Sequence, residues 1–251
     1  MDIYSDNTLA SFTNFLPEQI SLDGKWEVAL SEITYPCLYY NVSDGKFKFN
    51  MDITDTDAKT ELKIPEGMYY SIQEVIAAMN EAIIDRYDDK NNRVPISITY
   101  SGKDYKLKLK LRDKLNLLNL TGADLAHILG FKQNGMLEGM EKLEWESDYP
   151  ADIMRFHSIM VYTDIIEHGI VGDVKAPILR SFSHIPKLRG LEVSPTQFVK
   201  TEVFNNLQLR KMLKHAFHSI KIDLRTNSGQ KVPFAGVGLT KLSLLFRKIS
   251  N

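Results

Sequence analysis

The residues of this chain that could do chemistry are six histidines, one cysteine and scattered carboxylates. His215 and His218 form a His-x-x-His pair, which on a helix could start a metal site. They enter a segment that alternates like a strand, where positions three apart face opposite ways, and no third ligand follows at useful spacing. His127 lies between apolar neighbours on a short helical stretch and His157 opens a β-prone run, so both read as structural histidines. His168 and His184 fall in loops. Cys37, beside Pro36 in the aromatic stretch Tyr35 to Tyr40, reads as a half-buried small apolar residue rather than a nucleophile. Asp52, Asp55 and Asp57 are spaced like a calcium loop, but no Gly and Glu complete that pattern and a solvated acidic loop is expected. Gly236-Val-Gly238 precedes a strand, not a helix, and reads as a turn or bulge pair. Walker A, strand-linked Gly-x-Gly-x-x-Gly, Gly-x-Ser-x-Gly and His-Glu-x-x-His motifs are all missing, as is the histidine–carboxylate cluster of a cupin. The sequence thus nominates no catalytic residue, no cofactor-binding residue and no metal ligand, and the expectation is a protein that is not an enzyme and carries no cofactor.

Charge narrows the partners. Thirty-one Lys and Arg nearly cancel thirty-two Asp and Glu, leaving a net charge of −1. That gives no global attraction to nucleic acid or anionic membrane. Lys106, Lys108 and Lys110, with Tyr100 and Tyr105 nearby, are the best local candidate for a nucleic-acid contact, but a wet sheet face produces the same stripe. The single cysteine excludes an intrachain disulfide and fits a reducing compartment. The polar, acidic N-terminus lacks a signal-peptide pattern. No stretch approaches the roughly 18 apolar residues of a membrane helix. The sequons at Asn41 and Asn119 carry no meaning without secretion.

The elements that must position any site are mostly strands. Trp26, Val28 and Leu30 alternate with Lys25, Glu27 and Ala29 after the Asp23-Gly24 turn. Phe47, Phe49, Met51 and Ile53 alternate with Lys46, Lys48, Asn50 and Asp52. Residues 94–112 read as a hairpin, with Ile96, Ile98, Leu107, Leu109 and Leu111 on one face. A helix is expected over 71–87, because Ile72, Val75, Ile76, Met79 and Ile83 form one stripe and Ser71 with Glu74 makes a capping box. A shorter helix is expected near 122–129, stopped by Gly130, followed by an exposed loop over 130–150. Strands return at His157 to Ile166, at Ala176 to Phe182 after the Gly169 to Asp173 turn, and at Phe198 to Phe204 through Lys200 and Glu202. His218, Ile220, Ile222 and Leu224 then alternate up to the Asn227-Ser-Gly229 turn, and Leu239 to Arg247 is expected to return as the second half of an antiparallel hairpin.

Eight to ten strands without a βαβ rhythm predict a mainly β chain, an antiparallel jelly-roll β-sandwich with an inserted helix and hairpin segment. The expected division is an N-terminal arm over 1–22 and a single jelly-roll domain over 23–251, with 65–150 as the insertion.

Longer stretches carry a family resemblance. They are Thr8-Leu-Ala-Ser-Phe-Thr-Asn-Phe-Leu-Pro-Glu-Gln-Ile20, Leu22-Asp-Gly-Lys-Trp-Glu-Val-Ala-Leu-Ser-Glu-Ile-Thr-Tyr-Pro36, Pro65-Glu-Gly-Met-Tyr69 and Leu125-Ala-His-Ile-Leu-Gly-Phe131. Beyond them come His157-Ser-Ile-Met-Val-Tyr-Thr-Asp164, Ile170-Val-Gly-Asp-Val-Lys-Ala-Pro-Ile-Leu-Arg180, Phe217-His-Ser-Ile-Lys-Ile-Asp-Leu-Arg225, and Val232-Pro-Phe through Leu245-Phe-Arg247. Collinear over nearly the whole chain, they resemble the minor capsid (penton) proteins encoded by Polinton (Maverick) elements and adintovirus-like genomes. The resemblance implies a single-jelly-roll structural protein of the virion. It would form a homopentamer at each icosahedral vertex among copies of a double-jelly-roll major capsid protein. Such a protein is made and assembled in the host cytoplasm or nucleus, is not secreted, inserts into no membrane and binds no specific nucleic acid. Leu9, Phe12, Phe15 and Leu16 of the arm, and the Gly- and Met-rich loop at 130–145, are the candidate contacts. The alternative is a jelly-roll binding module for carbohydrate or a host receptor, for which Tyr35, Tyr39 and Tyr40 are the cluster that could serve.

Overall fold

The computed structural model describes residues 1–4, 10–37, 39–42, 48–53, 60–87, 96–111, 115–119, 123–132, 136–138, 144–153, 156–184, 199–235 and 238–250. The chain divides into two compact units, one formed by Met1–Tyr39 with Phe156–Asn251 and the other by Tyr40–Arg155.

The first unit is a sandwich of eight principal strands. In chain order they are β1 (Asp2–Tyr4), β2 (Ser11–Ser21), β3 (Trp26–Pro36), β11 (Ser158–Thr163), β14 (Ile178–Ser183), β15 (Val199–Val203), β17 (Ala216–Thr226) and β18 (Lys241–Lys248). One sheet has the order β1-β18-β3-β15, with the short β16 (Arg210–Lys211) also on β3; the other has the order β14-β11-β17-β2. The first of the eight pairs with the last, the second with the seventh, the third with the sixth and the fourth with the fifth, all antiparallel. That is one long ribbon folded at its middle and rolled into two sheets, the jelly-roll arrangement. The faces that meet are apolar: Val28, Leu30, Ile33 and Tyr35 from β3, Leu242 and Leu244 from β18, Ile159 and Val161 from β11, and Ile220, Ile222 and Leu224 from β17 are all buried. A separate ribbon, β12 (Gly169–Val171) with β13 (Val174–Ala176), turns at Gly172 and Asp173 and leads into β14.

Several expectations change here. Residues 2–4 and 11–21, read as an arm, are the first two strands of the roll. The pairing of β2 with β17, 212 residues apart at Ser11 and Asp223, is a contact that no local pattern announces. The expected hairpin between β17 and β18 does not form. Residues 226–230 do make a tight turn, through Gly229 N–H to Thr226 O at 2.9 Å and Thr226 N–H to Gln230 O at 2.8 Å. The chain then crosses to the other sheet, where β18 pairs with β1 and β3. His218 leaves the inner face of β17 because the β2–β17 register shifts between Phe217 and Ser219, so Phe217 is buried and His218 exposed.

The second unit begins at Tyr40, ahead of the Pro65 turn, and carries its own core. It holds β4 (Lys48–Ile53), β5 (Thr60–Lys63), α1 (Ile72–Tyr87), β6 (Ile96–Ser101), β7 (Lys106–Leu111), β8 (Leu115–Asn119), α2 (Ala123–Ile128), β9 (Met136–Glu138) and β10 (Glu144–Glu146). The sheets run β5-β4-β8-β9 and β10-β7-β6. Helix α1 buries Ile72, Val75, Ile76, Met79 and Ile83, together with Ile96, Ile98, Leu107 and Leu109 of the β6–β7 hairpin. Its cap differs slightly from the expected box. Ser71 Oγ accepts from Glu74 N–H at 3.3 Å, but the Glu74 carboxylate reaches Tyr70 N–H, at 2.8 Å.

Residues 130–150 are not one exposed loop. Phe131 and Ser147 are buried, β9 joins β8, and β10 adds an edge to β7. The turn after α2 sets this course. Phe131 N–H donates to Ala126 O (2.8 Å) and Gly130 N–H to His127 O (3.0 Å), the two bonds of a Schellman cap. Gly130 has φ +79°, and a Cβ there would overlap the Tyr149 carbonyl. Gly130→Ala is therefore expected to destabilise the chain by about 2 kcal/mol or more in denaturant titration. Gly172→Ala, at φ +62° in open space, is expected to lose only about 1 kcal/mol.

Candidate functional site

His127, His157, His168, His215 and His218 are all exposed. Among the described residues no group of three or more His, Cys, Asp or Glu could hold a metal ion. Asp52 lies in β4, and Asp55 and Asp57 lie outside the described residues, as do Gly236 and Val237. Gly238 has φ +108°, and a Cβ there would come within 3.1 Å of the Pro36 ring. Cys37 is half-buried, as its neighbours led us to expect. The Asn41 sequon is sealed from modification: the buried side chain donates from Nδ2 to Tyr69 O at 2.7 Å and accepts from Tyr69 N–H at 2.9 Å.

The lysine stripe is a wet, charge-balanced face. Strand β10 lies beside β7, so Lys110 meets Glu144 directly across at 3.1 Å and Glu146, opposite Lys108, reaches diagonally to Lys106 at 3.5 Å. The shallow groove there, lined by Ser97, Thr99, Lys108, Lys110, Glu144 and Glu146, alternates in sign. A polyanion gains little from it. The tyrosine cluster is likewise not a platform. Tyr35 and Tyr39 are buried, and of the three only Tyr40 is exposed.

One histidine departs from its reading as a loop residue. His184 follows β14 and, carrying the alternation of that strand one step past Phe182, points inward at 2% exposure. It stacks on Phe156 (centroids 5.0 Å apart, 16° between planes), meets the edge of Tyr39 at 5.6 Å and sits 5.8 Å from the Tyr35 ring. Its Nδ1 lies 3.3 Å from Tyr35 Oη. Burial, then the nearby Lys200 charge, push its pKa down to about 4, with Glu202 opposing. Burial drives the Tyr35 hydroxyl well above its usual range, so both partners are neutral and the tautomer of His184 sets which of them donates. The cluster closes a core, with the Cys37 thiol two residues along from Tyr35. Phe182 continues it to Phe204 at 5.5 Å, and the Arg180 guanidinium covers Phe204 at 3.8 Å.

What the first unit presents among the described residues is two sandwich edges with apolar side chains on them, β16 beside one of them being itself bonded by residues 165–167. Phe182 against Phe204, just after β15, and Phe217 against Phe246, in β17 and β18, align the two sheets. Strands β14 and β15 therefore form one lateral edge and β2 and β1 the other. On β15 the usual alternation is inverted. Lys200 and Glu202 sit opposite buried Tyr35 and Ile33 and pair with each other at 2.6 Å, whereas Val199, Thr201 and Val203 face out. Inward charge on an edge strand discourages indiscriminate strand pairing. On β2, Phe12 is buried but Phe15 is 73% exposed. Residues 16–19, with Pro17, bulge where the register with β17 breaks. The exposed Ile170 on the β12–β13 ribbon is a further apolar contact point. The sequence signal for Phe15 was there in the arm; the signal for Val199 and Val203 was hidden, because a charged and an apolar face look alike until a partner strand fixes which is inside.

The buried histidine gives a pH expectation. Its folded pKa lies below its unfolded value near 6.5, so the unfolded chain binds the proton more readily. Stability is whole above about pH 6.5 and falls progressively down to about pH 4, by ~3 kcal/mol. His184→Asn, which keeps a hydrogen-bonding group for Tyr35, is expected to flatten that slope in urea titrations run from pH 7 to pH 4.

No protein-family model matches the chain, and no curated protein does. Among solved structures, the crystal structure of the selenomethionine-labelled mavirus penton protein is similar over 99% of this chain and 98% of that one, with a TM-score of 0.50 and 11% sequence identity. Both units are spanned by that likeness, and the chain shares the fold of a viral penton protein.

Proposed function

We propose that this chain is a structural virion protein, the minor capsid (penton) protein at the icosahedral vertices of a Polinton (Maverick)-type particle. The observation that carries the reading is the end-to-end fold likeness to a penton protein, which takes in the jelly roll and the inserted unit alike. The rest of the molecule is in keeping with it. One jelly roll suits a vertex, whereas a facet protein of this class needs two. Among the described residues no group of three or more His, Cys, Asp or Glu could hold a metal ion, and Tyr35 and His184 are sealed in a core. Among the described residues the outermost strands of the sandwich, β14 and β15 on one side and β2 and β1 on the other, pair with no further named strand, and closing a ring of copies covers such edges without leaving any over. In this reading the partners are four further copies of the chain and the double-jelly-roll major capsid protein. No cofactor takes part, and the chain reaches the virion from the host cytoplasm or nucleus.

The test is mass by light scattering across protein concentration and salt, with negative-stain images of the same samples. The expected result is a species of five times the monomer mass and rings with five-fold symmetry, promoted by added major capsid protein. A closed oligomer of another order would sink the vertex assignment.

A further inference from the structure

We infer that His184 is an acid-operated latch: proton uptake frees the end of β14, and with it the clamp on Tyr39 and Phe156, while the rest of the jelly roll stays folded. The property belongs to the single chain and does not rest on the vertex assignment, which concerns what the chain assembles into.

Position, packing and charge point to this role. The chain leaves the jelly roll after Tyr39 and re-enters it at Phe156. The His184 ring touches both points, stacked on Phe156 at 5.0 Å and edge-on to Tyr39 at 5.6 Å. It is 2% exposed, yet its Nε2 has no hydrogen-bond partner among the described residues. An imidazolium donates from both ring nitrogens, and among those residues only the Tyr35 hydroxyl is in reach, at Nδ1. Counter-charge is equally scarce. The described groups around the ring are Tyr35 of β3, with Cys37 two residues beyond it, Tyr39, and Lys200 and Glu202 of β15. His157, at the start of β11, turns its side chain to solvent, and Arg180 of β14 covers Phe204 instead. Glu202 is the one carboxylate among these groups, and Lys200 already holds it at 2.6 Å. A proton taken up at Nε2 therefore leaves a buried charge without a partner, and opening the cluster relieves it. The least costly opening is local. Strand β14 is the outermost of its sheet, paired with β11 alone among the named strands, and its last rung is Ser183 with Ser158. Beyond that rung His184 N–H donates to His157 O at 2.8 Å. Swinging the ring out breaks this bond and the ring contacts, and leaves the buried residues of β3, β17 and β18 in place. Burial and Lys200 hold the folded-state pKa at about 4, against about 6.5 for an exposed imidazole. Opening is therefore favoured about a hundred-fold more at pH 4 than at pH 7.

The experiment is native-state hydrogen exchange on the full chain, read amide by amide in sub-denaturing urea between pH 7 and pH 4, with intrinsic exchange rates divided out. The amides of His184 and its neighbours at the end of β14 are expected to exchange through an opening nearly insensitive to urea, because little surface is exposed. Its equilibrium constant is expected to rise about a hundred-fold from pH 7 to pH 4, nearly all of it below pH 6.5. Buried amides of β17 are expected to keep the steep urea dependence of global unfolding at every pH. His184→Asn is expected to abolish the rise at the cluster, and His168→Asn, at an exposed histidine, to leave it unchanged. The wild-type measurement decides the matter even where His184→Asn fails to fold. Cluster amides that exchange only with the full urea slope of β17 would overturn the latch, because His184 would then report global unfolding alone. So would a urea-insensitive opening whose constant does not change with pH, or one with the same pH dependence in His184→Asn.

Discussion

Strand β3 is hydrogen-bonded along both sides, to β18 on one and to β15 and β16 on the other, and a single bulged residue makes that possible. The β18 register shifts between Ser243 and Leu244, so Glu32 lies opposite Ser243 and Leu30 opposite Leu244 while Ser31 has no opposite number. Its hydroxyl donates to Ser243 O at 2.9 Å, and its carbonyl accepts from Phe204 N–H at 2.8 Å. Across the bulge the inward set changes phase, from Val28 and Leu30 to Ile33 and Tyr35, which are all buried. Without that slip, one half of β3 would turn its apolar residues to solvent. The bulge also divides the far side of β3 into a part that pairs β15 and a part that pairs β16.

The same strand ends in the aromatic cluster. Tyr35 contributes its ring to Phe182 and its hydroxyl to His184, and His184 stacks on Phe156, the first described residue after the second unit. The cluster holds together the two points at which the chain leaves the jelly roll and re-enters it, Tyr39 and Phe156, whose rings are 5.1 Å apart. An insertion of more than a hundred residues between consecutive strands is tolerated because loop-closure entropy grows only slowly with length and its ends are fixed by packing. A neutral, buried histidine is the weak point of such a clamp, because proton uptake there is opposed by desolvation.

Assembly and solubility make opposite demands on the sandwich edges. An open edge with apolar side chains is needed for a neighbour, yet it invites any strand to add. Here the answer differs on the two sides. Strand β15 turns an ion pair inward and valines outward, while β2 breaks its own ladder with a four-residue bulge containing Pro17. Both leave side chains exposed and the ladder irregular, which favours one specific contact over generic sheet extension.

Much of this was readable without coordinates. The helix stripe from Ile72 to Ile83, the β6–β7 hairpin, the stop at Gly130 and the mainly β architecture are local patterns, set by side-chain periodicity and turn chemistry within a few residues. The absence of motif chemistry and the near-zero net charge are compositional and were equally plain. Tertiary structure alone decided what pairs with what. The turn at Asn227 to Gly229 looked like the centre of a hairpin, yet β17 and β18 go to different sheets, because each finds a better partner more than a hundred residues away. The arm proved to be two strands for the same reason. Which face of β15 is inside, and that His184 is buried while the other five histidines are not, depend on neighbours brought in from distant sequence. Periodicity specifies that two faces differ; only the packed partner specifies which of them meets water.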